Sequence, residues 1–120
     1  MKKVTFEYKA KIDKVVDGDT VDVVIDLGFK ITTFQRIRFA DIDTPEIFGV
    51  KKDSEEYKKG MAAKEFVEKR FAENQNEIFL QVLKVADKYG RYVGILWLAD
   101  SETSLNDELV ETGHAKYVKY

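Results

Sequence analysis

Asp17-Gly18-Asp19-Thr20 and Asp43-Thr44-Pro45-Glu46 are the two stretches of this chain whose residue types and spacing could assemble chemistry. Each has a plain structural reading as well: Asp-Gly is a common hairpin turn, and Thr-Pro-Glu a common exit from a strand. Their joint occurrence carries more. If the residues between them form a meander, the first turn and the end of the third strand lie at the same end of the sheet, so Asp19 and Asp43 can meet. Two close carboxylates repel unless a cation lies between them. With one His and no Cys, a zinc or copper site is disfavoured, whereas Asp19, Asp43 and a turn carbonyl are hard oxygen donors suited to Ca²⁺ or Mg²⁺. So few protein ligands leave positions for water, and Glu46 is placed to take a proton from such a water. Arg38, five residues before Asp43, and Arg91, just after Lys88-Tyr89-Gly90, offer planar guanidinium forks to phosphoryl oxygens.

The elements that must position these residues follow from periodicity. Phe6, Tyr8, Ala10 and Ile12 alternate, Asp17-Gly18 turns the chain, and Thr20 to Leu27 forms a second run. A third run from Lys30 to Ile42 stops before Pro45. Ser54 followed by Glu55 and Glu56 reads as a helix N-terminus, with Tyr57, Met61, Ala62, Phe66 and Phe71 forming the apolar stripe of a helix over 55–72. Gly60 inside that helix weakens it by roughly 1 kcal/mol relative to Ala. Ile78 to Val85 and Tyr92 to Ala99 read as two more strands around a turn at Asp87-Lys88-Tyr89-Gly90, and Ser104 with Asp107 opens a short helix that Gly113 closes. The expected fold is α+β and mainly β: a five-stranded antiparallel OB-fold barrel with one long and one short helix, forming a single domain over 1–120. Trp97 and Phe79 fall within apolar alternation and are expected in the core. His114 follows Gly113 at a helix end, a position the helix dipole favours, and is given a structural role.

In order and approximate spacing, Asp17-Gly18-Asp19-Thr20, Arg38 with Asp43-Thr44-Pro45-Glu46, and Lys88-Tyr89-Gly90-Arg91 resemble the three signature segments of the staphylococcal nuclease (thermonuclease) family. The likeness extends through Ser104 to Gly113 and Ala115-Lys116. It implies an OB-fold, calcium-dependent endonuclease that cleaves DNA and RNA to leave 3′-phosphates. Carried onto this chain, it implies that Asp19, Asp43 and the Thr44 carbonyl bind Ca²⁺, and that Glu46 orients or deprotonates the attacking water. Arg38 and Arg91 would stabilise the phosphoryl group, and Lys88 and Tyr89 would contact a terminal phosphate. There are departures. The family's base-stacking tyrosine falls near Lys119, leaving Tyr117 and Tyr120 as substitutes, and Asp41 adds a carboxylate close to Asp43.

The charge balance is an objection to this reading. The formal net charge is −2, which offers a polyanion no overall attraction. Counted by segment, however, residues 13–29 sum to −4 and 39–46 to −3, while 30–38 sum to +3, so much of the negative charge lies in the proposed cation site itself. Two other readings stay open: a non-catalytic OB-type module for single strands or a protein partner, and a phosphatase acting on small nucleotides. The expected partners are DNA and RNA, single-stranded or frayed, with no membrane and a monomeric state. No run approaches 18 apolar residues. The start, Met1-Lys2-Lys3, is too charged downstream for a signal-peptide core, which places the chain inside the cell if complete and outside if it is a mature fragment.

Overall fold

The computed structural model describes residues 5–84 and 90–118. In chain order the elements are β1 (Glu7–Asp17), β2 (Thr20–Asp26), β3 (Thr32–Phe39), β4 (Ile42–Asp43), α1 (Glu55–Glu73), β5 (Glu77–Lys84), β6 (Tyr92–Trp97), α2 (Leu105–Glu111) and β7 (Lys116–Tyr117). Five of the strands close into a barrel in the order β1-β2-β3-β6-β5, and β4 and β7 form a separate two-stranded ladder. The mainly β, OB-like barrel with one long and one short helix is therefore as expected.

Both helices begin where the sequence says they should. The Ser54 hydroxyl accepts a hydrogen bond from the Tyr57 amide at 3.2 Å, and Ser104 does the same for Asp107 at 3.1 Å, each relieving one unpaired donor of a first turn. On α1 the buried positions are Gly60, Ala63, Val67 and Phe71; of the expected stripe only Phe71 is among them, while Tyr57, Met61 and Phe66 are half-buried and Ala62 is exposed. Val67 and Phe71 join Val21, Val23, Ile37, Phe39, Leu80 and Leu96 in the core, so α1 packs its stripe onto the barrel.

Three expectations are corrected. The sheet is not wholly antiparallel, because β3 and β6 pair in parallel, with Ile37 opposite Tyr92 and Arg38 opposite Val93. Closing the barrel requires these two strands to meet in that sense, since α1 and β5 intervene between them. The third run does not continue to Ile42: it ends at Phe39, and Asp41 turns the chain with φ +60°. This left-handed turn redirects Ile42 and Asp43 to pair with Tyr117 and Lys116. Phe79 is not core but 46% exposed, and its cross-strand neighbour Trp97 is half-buried. Alternation assigned both to the wrong face, because Ile78 and Leu80 are the inward residues of β5. The expected turn at 87–90 lies, apart from Gly90, outside the described residues.

A charged network ties the helices together. The Arg70 guanidinium of α1 donates to Glu108 of α2, to both oxygens of Asp100 at 2.7 and 2.8 Å, and to Glu73 at 3.1 Å. This bidentate pairing holds the Asp100 carboxyl down at about 2 from its usual 3.8. A carboxyl whose folded value is depressed stabilises above its unfolded value and loses that contribution as pH falls through the folded one. Arg70→Met should therefore lower the melting temperature by roughly 5–10 °C at neutral pH. The deficit relative to wild type should shrink as pH falls from about 4 towards 2. Thermal melts of both proteins across that range check this, and a deficit independent of pH would remove Asp100 from the account.

Candidate active site

The site is built where three chain segments converge at one end of the barrel. The β1–β2 turn is fixed by an Asx bond in which Asp17 Oδ1 accepts from the Asp19 amide at 3.0 Å. Asp19 is then buried, 6% exposed. Its carboxylate accepts from the Thr20 hydroxyl at 3.1 Å and, through Oδ2, from the Thr44 amide at 3.1 Å. The second bond ties the turn to the segment after β4, so Asp19 and Thr44 are brought together as the meander requires.

Arg38 links the two acids. Its guanidinium, buried in the protein, lies 3.4 Å from Asp19 Oδ2 and 3.3 Å from Asp43 Oδ1, and donates to the Phe39 carbonyl at 3.1 Å. Asp43 is more open, with a side chain 40% exposed. Glu46 is exposed on the loop beyond Pro45, its amide directed at the Glu56 carboxylate. Arg91 immediately precedes Tyr92, which pairs with Ile37. The parallel closure of the barrel thus sets Arg91 alongside the β3 segment that carries Arg36 and Arg38, at the level of Arg36. Lys88 and Tyr89 lie outside the described residues.

Electrostatically the site holds more negative charge than its own cations balance. Burial and the hydrogen bond that the protonated Asp17 donates to Asp19, with the Asp19 charge behind them, push the Asp17 carboxyl from 3.8 to about 7. Burial works the same way on Asp19, but the bond from Asp17, the Arg38 charge and the Thr44 amide outweigh it and hold Asp19 below the usual range. Asp43 is raised by burial and by the Asp19 charge, against the pull of Arg38 and Lys116. Glu46 is raised by burial and then by Asp19, Asp43 and Glu56. Three of these four carboxyls are raised, a setting that a divalent cation would relieve. Among the described residues no three carboxylate or imidazole groups form a ready-made metal cage. Two carboxylates and a backbone carbonyl fit a hard ion that keeps much of its water.

Two glycines make this geometry possible. A Cβ on Gly18 would come within 2.8 Å of Ala63 Cβ and 3.0 Å of the Thr44 side chain. A Cβ on Gly60 would lie 2.5 Å from the Pro45 carbonyl oxygen and 2.6 Å from Ile47 Cγ2. The helix glycine that looked like a defect is the place where the Pro45–Ile47 loop, carrying Glu46, settles against α1.

Other residues were placed differently by sequence reasoning. Asp17 was seen only as a turn former, yet its half-buried carboxyl is one of the raised groups of the site. Asp41 does not join the acids: it is exposed in its own turn, beside a cavity lined with Trp97, Asn106 and Tyr117. Tyr117 donates its hydroxyl to Asp107, and Tyr120 lies outside the described residues. The His114 ring stacks on Phe66 at 4.7 Å, the structural role expected. Yet it also lines a cleft of about 450 Å³ with Asp43, Glu46, Lys59 and Lys116, so its distance from the acids was one of sequence only.

A closed barrel of five strands, with Arg38 paired to Asp19 and Asp43 beside its first turn, places the protein in the class of small OB-like β-barrels. The family model described as staphylococcal nuclease homologue matches residues 36–120, and the chain belongs to that family. It is 32% identical to endonuclease YhcR of Bacillus subtilis (strain 168), over 91% of this chain and 9% of that protein. It is 33% identical to the thermonuclease of Staphylococcus intermedius, over 88% of this chain and 56% of that protein. A protein of Methanocaldococcus jannaschii, MJ1439, is 33% identical over 91% of this chain and 58% of its own length. The chain thus spans less than two thirds of each of these relatives.

Gly60→Ala separates helix propensity from loop packing. Propensity alone would raise stability by about 1 kcal/mol, but the added methyl meets a backbone carbonyl rather than a flexible side chain. The melting temperature should fall by roughly 5 °C or more. A rise on calorimetry would show that the Glu46 loop does not depend on this approach.

Proposed function

We propose that the protein is a calcium-dependent endonuclease that hydrolyses phosphodiester bonds of DNA and RNA and leaves 3′-phosphates. The observation that carries this reading is the Arg38 guanidinium held between Asp19 and Asp43, supported by the family match and by relatives that bear the names endonuclease and thermonuclease. Asp19, Asp43 and the Thr44 carbonyl would hold Ca²⁺, which when bound would supply positive charge to a phosphoryl oxygen and to a nearby water. The same acids orient Arg38, whose fixed plane suits it to a phosphoryl group in which charge develops. Arg91 adds a second fork, and Lys88 and Tyr89 hold a neighbouring phosphate.

Glu46 receives the proton of the attacking water. The new bond runs from that water's oxygen to phosphorus, the P–O5′ bond breaks in line with it, and the 5′-oxygen leaves with a proton from solvent. Burial and neighbouring acids raise Glu46, which moves it towards the range in which a general base is effective. Single-stranded or frayed polymer is the preferred form, since the mouth of a small barrel admits one strand more readily than a duplex, and the domain acts as a monomer over 1–120.

Heat-denatured DNA incubated with the protein in Ca²⁺ should be degraded to 3′-phosphorylated fragments, and chelator should stop it. Arg38→Lys should lower the rate by about 10²-fold or more, because a point charge cannot replace the fork. Glu46→Ala should fall comparably while binding is retained. Wild-type rates from Arg38→Lys would overturn the assigned role, and binding without cleavage in either condition would favour a non-catalytic module.

A further inference from the structure

The outer face of the β2–β3 hairpin continues directly from the site. Antiparallel register pairs Thr20 with Arg38, Asp22 with Arg36, Val24 with Phe34, and Asp26 with Thr32. Side chains on one face of a strand recur every two residues, at steps of roughly 6.8 Å, so Arg38, Arg36, Phe34 and Thr32 form a single row. The row begins at the buried guanidinium of the site and ends at the hairpin tip.

Its composition is unusual for an outward face. Phe34 is 58% exposed and its partner Val24 36%, an apolar pair turned to solvent beside the site rather than into the core. Arg36 stands next to them and is held in one orientation by Asp22, with Nε to Oδ1 at 2.7 Å and Nη2 to Oδ2 at 3.0 Å. At the tip Gly28, Phe29 and Lys30 are all left-handed, and Phe29 is 96% exposed. Non-glycine residues in that region cost free energy, which the surrounding hairpin must offset. Beside the row lies a groove of about 760 Å³ whose lining includes Val24, Thr32, Lys9, Lys11, Lys30 and Phe79. The acids of this face have local partners: Asp22 is held by Arg36, Asp26 accepts from the Gly28 amide at 2.8 Å, and Glu77 lies 3.9 Å from Lys11.

We infer that this face is a second binding surface for the polymer, on which a single nucleic-acid strand engaged at Arg38 runs along β3, with a phosphate at Arg36 and a base stacked on Phe34 and Val24. Continuity with the site selects this occupant. A strand whose phosphodiester lies at Arg38 meets Arg36 one step on and Phe34 two steps on, two guanidinium positions for backbone phosphates followed by an aromatic surface for a base. Base stacking on an aromatic ring tolerates any sequence, and it gives an acidic protein a hold on a polyanion that does not rest on net charge. The inference rests on the nuclease reading for its direction but makes a separate claim about length.

The test compares wild type, Phe34→Ala and, as a control on another face, Phe6→Ala, whose side chain is 58% exposed. Each protein is offered fluorescent single-stranded oligonucleotides of 2, 4, 8 and 12 nucleotides in Ca²⁺, with both affinity and cleavage measured. In wild type, KM and Kd should fall with length up to about 8 nucleotides. Phe34→Ala should remove about tenfold of that gain, whereas Phe6→Ala should keep it. If Phe34→Ala shows the wild-type length dependence, this surface does not bind the strand. If wild type cleaves nothing but its length-dependent affinity still falls in Phe34→Ala, the surface stands and the nuclease reading fails. If sedimentation shows self-association that Phe34→Ala abolishes, with oligonucleotide affinity untouched, the face serves a second copy of the chain and the inference is wrong.

Discussion

One guanidinium holds the active end of this molecule together. Arg38 sits between Asp19 and Asp43, and without it two carboxylates that the fold brings together would repel in a largely buried setting. Its own position depends on the barrel. Arg38 is opposite Thr20 across one ladder and Val93 across the other, so the residue that neutralises the acids is fixed where the parallel closure occurs. The buried amide of Asn106 reinforces the same seam by donating to the carbonyls of Ala40 and Gly94 and accepting from the Leu96 amide, each at 3.1 Å. Site and closure are thus one constraint, and a fault in either should be felt by both.

The arrangement has a thermodynamic cost that is visible in the carboxyls. Asp17, Asp43 and Glu46 are all raised, and Asp19 alone is lowered, because it takes the favourable bonds. A fold optimised only for stability would separate these groups or replace some with amides. On the function proposed above, a bound cation would recover that free energy. Elsewhere the chain supplies stability by ordinary means: a continuous apolar core and the Arg70 network, whose acids surround a single guanidinium and lie well away from the site in sequence.

What could be read from sequence and what could not divides along the range of the interaction. The two serine caps, the Asp-Gly turn and the pairing of Asp19 with the Thr44 segment follow from neighbours in sequence or from one meander, and all are present. The parallel β3–β6 contact joins segments more than fifty residues apart, and no local pattern specifies its direction. Asp41 looked like one more strand residue because a left-handed turn at a non-glycine position carries no signature beyond an Asp. Gly60 looked like a flaw because propensity treats a helix in isolation, whereas its reason is a loop pressed against it. Phe79 was assigned to the core by its neighbours' alternation, and only the barrel's curvature decides which face of β5 is inside.

The barrel also resolves the objection raised by the net charge of −2. A polyanion approaching the protein does not meet the average charge, because fields from exposed groups fade within about 10 Å at ordinary salt. It meets whatever lies along its path. Asp19 and Asp22, two of the acids that make the segment 13–29 so negative, are buried and bonded to Arg38 and Arg36. Each of these pairs is close to neutral as seen from a distance. Exposed acids such as Glu55, Glu65 and Glu68 lie on α1, a different element from the β2–β3 face. The sign of the whole is therefore a poor guide to the sign of the path, and the register of β2 and β3, which sets Arg36 opposite Asp22 and brings Arg38 to Asp19 at the start of β2, is what separates them.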